Sequence, residues 1–375
     1  MGRFSGKGHP GRDDQPRLRT PVTDQLLIDA FADGSELARF PGTIRVLCTT
    51  GGRGQVALSL AANDVCQVVC HAYDDFAARA ITENVAGSRV QVVCAADFPR
   101  EAFDLVALAL DHRAETELTR DTVQAGALAL IPGGRLVCGV GKSDDQLIHT
   151  ELKRLFEKVT RKPTERGCLY FATRGAALGK LKEYSAEFAF RDGREESDGG
   201  RLLKLVTRPG VFSHRSLDGG ARALIDTATV FPHSRIIDLG CGCGAVALAL
   251  AAREPTAEVL AVDSHARAIE CTERGAALNE LTNVRTRRTA VGEIDSPGTW
   301  NLVLGNPPYF ADYRIAELFL TTAQKALCGG GRVSMVTKTP GWFEERMREQ
   351  FNGVETEPHG AYFVVTGVQR GTRRS

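Results

Sequence analysis

The sequence predicts an α/β protein made of two successive units, each a mostly parallel, twisted, doubly wound sheet with helices on both faces. Three observations carry this. The chain has 375 residues, too many for one ordinary core and enough for two of roughly 150 to 200 residues. Short apolar, strand-like runs alternate with longer helical patterns, as in repeated βαβ units. The chain also repeats itself at an offset of about 190 residues.

The repeat recurs in order at four places. Gly54–Ala62 echoes Gly244–Ala252, and Ala78–Ile81 matches Ala266–Ile269. Phe103–Val106 then parallels Trp300–Val303, and Gly133–Val137 parallels Gly330–Ser334. In the second half, strands are predicted near Arg235–Leu239, Glu258–Asp263, Val284–Thr286, Leu302–Gly305, Gly331–Thr337 and Ala361–Val368. Between the halves, Tyr184–Phe190 and Arg201–Val206 alternate apolar and polar residues around the turn-rich Asp192–Gly200, as a hairpin would. The division falls near residue 180, giving units over 21–180 and 181–375. Residues 1–20 are poor in apolar side chains and read as a flexible basic tail, with Arg3, Lys7, Arg12, Arg17 and Arg19 against Asp13 and Asp14.

Composition bounds the function. With 43% hydrophobic and 25% charged residues, each half can bury a core. A net charge of +1 means that attraction to a polyanion must come from local patches. The Ala245–Ala252 run is far short of the ~20 apolar residues that cross a bilayer, and no signal-peptide stretch opens the chain, so the cytoplasm is the expected location. Cys66, Cys70, Cys94 and Cys138 sit in apolar runs and read as reduced core thiols. Cys241-Gly242-Cys243 has no second ligand pair, so no metal is expected.

The first chemical motif is Asp238-Leu239-Gly240-Cys241-Gly242-Cys243-Gly244, lying between a strand and an apolar helix. Glycines permit a tight turn and close approach of a ligand to backbone, and the following helix presents free N–H groups. About one βαβ step on, a strand ends at Asp263, whose carboxylate can accept hydrogen bonds from ribose hydroxyls or cap the next helix. Asp238 stands where a carboxylate can face an ammonium group.

The second motif is Asn306-Pro307-Pro308-Tyr309, delivered by the Leu302–Gly305 strand to the same sheet edge. Two prolines stiffen the loop and remove N–H donors. The Asn306 side-chain oxygen and the Pro307 carbonyl can then each accept a hydrogen from one NH2 group, while Tyr309 stacks on a planar substrate. The bland alternative is an ordinary Asn-Pro turn.

Together these motifs resemble class I S-adenosylmethionine (SAM)-dependent methyltransferases that modify planar amino groups. The acid that the resemblance expects after the third strand is missing, with Thr289-Ala290-Val291 in its place. The tetrapeptide alone suits adenine N6 in nucleic acid, guanine N2 in ribosomal RNA, or the glutamine amide of release factors. Two tandem Rossmann-like units with one intact active site resemble the bacterial ribosomal RNA guanine-N2 methyltransferases. The resemblance implies a ribosomal RNA or ribosomal-subunit partner and no membrane. It extends to Arg208–Ser213 with Leu217, Asp218 and Gly220, and implies that Phe212 and Ser213 lie beside the cofactor. Tyr309 departs from the phenylalanine common in those enzymes, which leaves adenine and glutamine open.

The first unit lacks these groups. Cys48, Thr50 and Arg53 interrupt its glycine turn, and Ala109-Leu110-Asp111-His112 replaces the tetrapeptide, although Asp74 and Asp75 persist near the place of Asp263. Such a unit serves as support or as an RNA grip. Basic clusters at Arg161, Lys162 and Arg166 and at Arg285, Arg287 and Arg288 suit phosphates or a solvated face. The competing class is a non-catalytic RNA-binding or assembly protein, and an oxidoreductase leaves the tetrapeptide without a purpose.

Overall fold

The computed structural model describes residues 19–193, 200–308 and 313–371. Tyr309 and nearly all of the basic tail lie outside the described residues. In the first unit, α1 (Val22–Phe31) precedes β1 (Ile44–Cys48), α2 (Gln55–Ala61), β2 (Cys66–Ala72), α3 (Asp75–Asn84), β3 (Gln91–Cys94) and β4 (Phe103–Leu110). Next come α4 (Thr116–Ala129), β5 (Leu130–Val140), α5 (Leu147–Leu155), β6 (Val159–Thr164) and β7 (Gly167–Thr173). A hairpin of β8 (Ala186–Asp192) and β9 (Arg201–Thr207) follows.

The second unit repeats the plan. It comprises α6 (Gly219–Thr227), β10 (Arg235–Leu239), α7 (Ala245–Arg253), β11 (Glu258–Asp263), α8 (Ala266–Leu278), β12 (Val284–Arg288) and β13 (Trp300–Gly305). It closes with α9 (Arg314–Ala326), β14 (Leu327–Thr337), α10 (Gly341–Gln350), β15 (Asn352–His359) and β16 (Tyr362–Val368).

The sheet orders are β3-β2-β1-β4-β5-β7-β6 and β12-β11-β10-β13-β14-β16-β15, identical position for position. The predicted tandem fold is therefore present. In each sheet the first five strands are parallel, and the sixth, β7 or β16, pairs antiparallel with both of its neighbours. The order reverses direction between β10 and its neighbours β11 and β13, which opens a crevice at their carboxyl ends. Register makes that edge level, because Leu239 pairs with Val262 on one side and Gly305 on the other. Helix α7 is buried from Ala245 through Ala251, and its small and aliphatic residues let it pack beneath the turn that precedes it.

Strands β6 and β15 were not anticipated. Both lie at a sheet edge, are largely exposed and contain proline, so neither shows the alternation of a half-buried strand. The hairpin strands end two residues and one residue beyond the predicted ends, and the first begins two residues after its predicted start. Among the described residues, no helix is long and apolar enough to cross a membrane.

The units are locked together through the turns that follow β2 and β11. Asp74 bridges His265, the Asp75 N–H donates to the Ser264 carbonyl at 2.9 Å, and the Ala266 N–H donates to the Tyr73 carbonyl at 2.7 Å. Beside this seam, Arg267 of α8 enters the first unit and is 0% exposed. Its guanidinium donates to the Ala96 carbonyl, the Pro209 carbonyl and the Tyr73 hydroxyl, and pairs with Asp121 at 2.7 Å. It also lies 4.2 Å from the Tyr73 ring centre. Removing one member of a buried ion pair strands the other, so Arg267→Met should lower unfolding stability by about 3 to 5 kcal/mol. Urea denaturation at neutral pH measures this, and a change under about 1 kcal/mol contradicts the assigned role.

Candidate functional site

A cavity of about 510 Å³ occupies the predicted crevice, within the size range of small-molecule sites. Gly240, Gly242, Asp263, Asn306, Pro307 and Pro308 line it. A recess of about 30 Å³ adjoins it through Phe212, Gly240, Gly242 and Asn306, and is lined in addition by Ser213 and Asp238. The fold thus collects Asp238, Gly240 and Gly242 of the first motif, Asp263, and Asn306, Pro307 and Pro308 of the second, together with the 212–213 segment.

Asp238 is 3% exposed at the end of β10. One of its oxygens accepts from the Ala247 N–H at 3.0 Å, inside the first turn of α7. Burial pushes its carboxyl up to about 7, opposed by that hydrogen bond and reinforced by the nearby Asp263. An acid in this state lacks a cation, and a bound ammonium group would restore its charge. Asp263 accepts from the Gly242 N–H at 2.9 Å and from the His265 N–H at 2.8 Å. It therefore ties the glycine turn to the next β-to-α turn, and burial raises its pKa too. The helix-cap reading and a ligand role coincide here, since the same carboxylate also borders the cavity.

Gly240, Gly242 and Gly244 have φ of 70°, 55° and 83°, in the left-handed region. A Cβ at Gly240 would come within 3.0 Å of the Phe319 ring, whereas one at Gly242 would meet only the Phe212 carbonyl, at 3.9 Å. Gly242 thus leaves its side of the turn open to a ligand. Gly244 stands apart, because it borders neither cavity and its Cβ would strike Thr272 at 2.8 Å. Its counterpart Gly54 has φ of 88° and abuts Val85 and Ile81 in a unit with no intact turn. At this position glycine is required for helix packing.

Asn306 is oriented by a residue that the motifs did not single out. Its Nδ2 donates to Asp218 Oδ2 at 2.9 Å, and the same oxygen accepts from the Gly220 and Ala221 N–H groups at the start of α6. A carboxylate only accepts, so the amide nitrogen must face Asp218 and the amide oxygen is left for a substrate. Gly220 allows the approach, since a Cβ there would sit 3.0 Å from Asn306 Nδ2. Asp218 belongs to the segment noted for its resemblance, but its contact spans 88 residues of chain and no spacing rule predicts it. Phe212 is 65% exposed and lines both the cavity and the recess. Ser213 has φ of 61° and donates to the Ser216 carbonyl at 2.7 Å.

In the first unit the corresponding turn is filled from within. Asp24 of α1 accepts from the Gly51 N–H at 2.7 Å and from the Thr50 hydroxyl, and Pro21 and Thr23 crowd Gly51 and Gly52. The N–H groups that would meet a cofactor are already bonded or covered. The basic clusters are engaged as well: Arg161 bonds the Ser143 carbonyl, Arg166 pairs with Asp29, Arg285 with Glu258, Arg287 with Asp295, and Arg288 bonds the Cys94 carbonyl. These contacts favour the solvated-face reading.

Residues 202–367 match the family model described as "Methyltransferase small domain". The matched residues fall within the second unit. Among curated relatives, the ribosomal RNA small subunit methyltransferase C of Pseudoalteromonas atlantica is 28% identical over 246 residues, covering 64% of this chain and 70% of that protein. The same-named protein of Chromohalobacter salexigens is 33% identical over 196 residues, covering 49% and 55%. The Haemophilus influenzae protein is matched over 51% of its length, so the chain spans about half of several relatives it matches. A solved structure of the T. thermophilus 16S rRNA N2 G1207 methyltransferase, in complex with AdoMet and guanosine, superposes with a TM-score of 0.75 at 21% identity. It covers 94% of this chain and 93% of that one, so the two-unit architecture is shared throughout.

The second unit carries an electrostatic cost at Asp238. Its folded-state pKa of about 7 lies above the unfolded value near 3.8, so between these pH values the native protein holds a proton that the unfolded chain has released. Stability therefore falls as pH rises through this window, and the loss is complete above pH 7. Asp238→Asn should stabilise the ligand-free protein above pH 7, by up to about 4 kcal/mol, and have little effect at pH 4. Thermal unfolding of both proteins across this range measures the difference, and an equal shift at both pH values contradicts it.

Proposed function

We propose that this protein transfers a methyl group from SAM to the exocyclic N2 amine of a guanine in ribosomal RNA. Residues 181–375 are the catalytic unit and residues 21–180 the degenerate partner. The observation that carries the reading is Asn306, held by Asp218 with its oxygen free, on the same level sheet edge as Asp238 and Asp263. The tandem arrangement and the names of the relatives favour guanine in ribosomal RNA over adenine or a release-factor glutamine.

The donor set fits SAM. Asp238 would face the amino group, the Gly240–Gly242 backbone would lie against the amino-acid chain, and Asp263 would accept from the ribose hydroxyls. Phe212 and Ser213 would flank the amino-acid end. SAM supplies a methyl on a positively charged sulfur, already activated toward a neutral nitrogen. Asn306 Oδ1 and the Pro307 carbonyl each accept one N–H of the guanine amine, which turns the nitrogen lone pair toward that methyl. Pro308 keeps the loop rigid, and Tyr309 would supply the stacking ring. The new N–C bond forms as the S–C bond breaks, and the nitrogen then releases a proton to water. No strong base is required, in keeping with an asparagine at this position. A paired guanine would first have to leave its stack.

Labelled SAM incubated with ribosomal RNA lacking the modification should yield N2-methylguanine on nucleoside analysis. N6-methyladenine or methylglutamine would overturn the acceptor. RNA binding without SAM binding, read by isothermal titration, would favour the non-catalytic alternative. Asn306→Ala should cut kcat by about 100-fold or more while leaving SAM affinity within about twofold, since its contacts act on the acceptor. Because an ammonium partner needs ionised Asp238, SAM affinity should fall by up to about tenfold per pH unit below 7. Titrations between pH 5.5 and 7.5 test the slope, and a flat profile would remove Asp238 from the amino-group site.

A further inference from the structure

The far wall of the main cavity is not built by the second unit alone. Phe76, the second residue of α3 in the first unit, lines it and is 70% exposed. A lone exposed aromatic means little. Its position and its fixation carry the argument.

Reading across the sheet edge in the order β12-β11-β10-β13 gives Thr289 and Ala290, then Asp263, then the glycine turn, then Asn306. With ribose at Asp263 and the amino-acid end at Asp238, the base must lie beside Thr289 and Ala290, which line the cavity with Phe76. This is where the second unit lacks its expected acid. The first unit reaches that place through a clamp. Asp74 accepts from the Phe76 N–H at 2.8 Å and from the Ser264 hydroxyl at 2.5 Å. Asp75 donates its N–H to Ser264 and accepts, through its carboxylate, from the Ala290 N–H at 3.0 Å. The backbone that carries Phe76 is thus bonded on both sides to the loops that border the base.

We propose that the first unit completes the cofactor site, with Phe76 packing its ring against the adenine of bound SAM. The inference rests on the SAM reading above. It gives the first unit a role in the chemistry that fold support and RNA contact leave out, and it explains why Asp74 and Asp75 persist in a unit whose own turn is filled.

The test is isothermal titration of the full chain with SAM, S-adenosylhomocysteine and 5′-methylthioadenosine, which have the 5′-thioadenosine half in common. Phe76→Ala should weaken all three by a similar factor, on the order of tenfold, as expected for loss of one base-stacking aromatic. Since the ring is exposed, the variant should keep its unfolding midpoint. Phe76→Trp should retain affinity and add a fluorescence change on binding beyond any that Trp300 and Trp342 give in the wild-type protein. A wild-type protein that binds none of the three would remove the cofactor reading itself. Wild-type binding with Phe76→Ala unchanged, or a Phe76→Trp variant whose fluorescence is blind to 5′-methylthioadenosine, would overturn this inference alone.

Discussion

The guanidinium of Arg267 lies wholly buried between the two units, donating to Ala96, Pro209 and Tyr73 and paired with Asp121. A charge removed from water this completely is tolerated only where every partner stays in place. The consequence is geometric. Pro209 begins the segment that reaches the cavity at Gly210 and Phe212, and Tyr73 begins the turn that carries Asp74, Asp75 and Phe76. One side chain therefore anchors loops from both units that converge on the same crevice.

Identical sheet order in two halves invites the expectation of two similar sites, and the details show how one was closed. In the second unit the glycine turn remains open on the side of Gly242, and Asp218 at the head of α6 is directed to Asn306. In the first, Asp24 near the head of α1 is directed into the turn and satisfies Gly51 and Thr50. A carboxylate orients the Asn306 amide in one unit, whereas in the other a carboxylate seals the turn. Gly54 and Gly244 survive in both because each faces a neighbouring helix and not a ligand.

The open unit concentrates electrostatic cost where chemistry is expected. Asp238 and Asp263 are close, buried and both raised in pKa, an arrangement that destabilises the ligand-free fold and leaves acceptors waiting. Asn306 shows the neutral form of the same design. Its nitrogen is held by a carboxylate that also caps a helix, so its orientation is set before any substrate arrives.

The sequence by itself determined the tandem α/β plan, the glycine turn, the acid at Asp263 and the rigid Asn-Pro-Pro loop. These features are local: strand periodicity, positive-φ glycine and proline stiffness act over a few residues and leave a readable pattern. Edge strands β6 and β15 escaped because exposure and proline erase that periodicity. Asp218 on Asn306, Asp24 in the first turn and Phe76 in the second unit's cavity were decided only by tertiary structure. Each joins positions tens to hundreds of residues apart, and such a contact depends on how the sheets and helices pack, which no local pattern encodes.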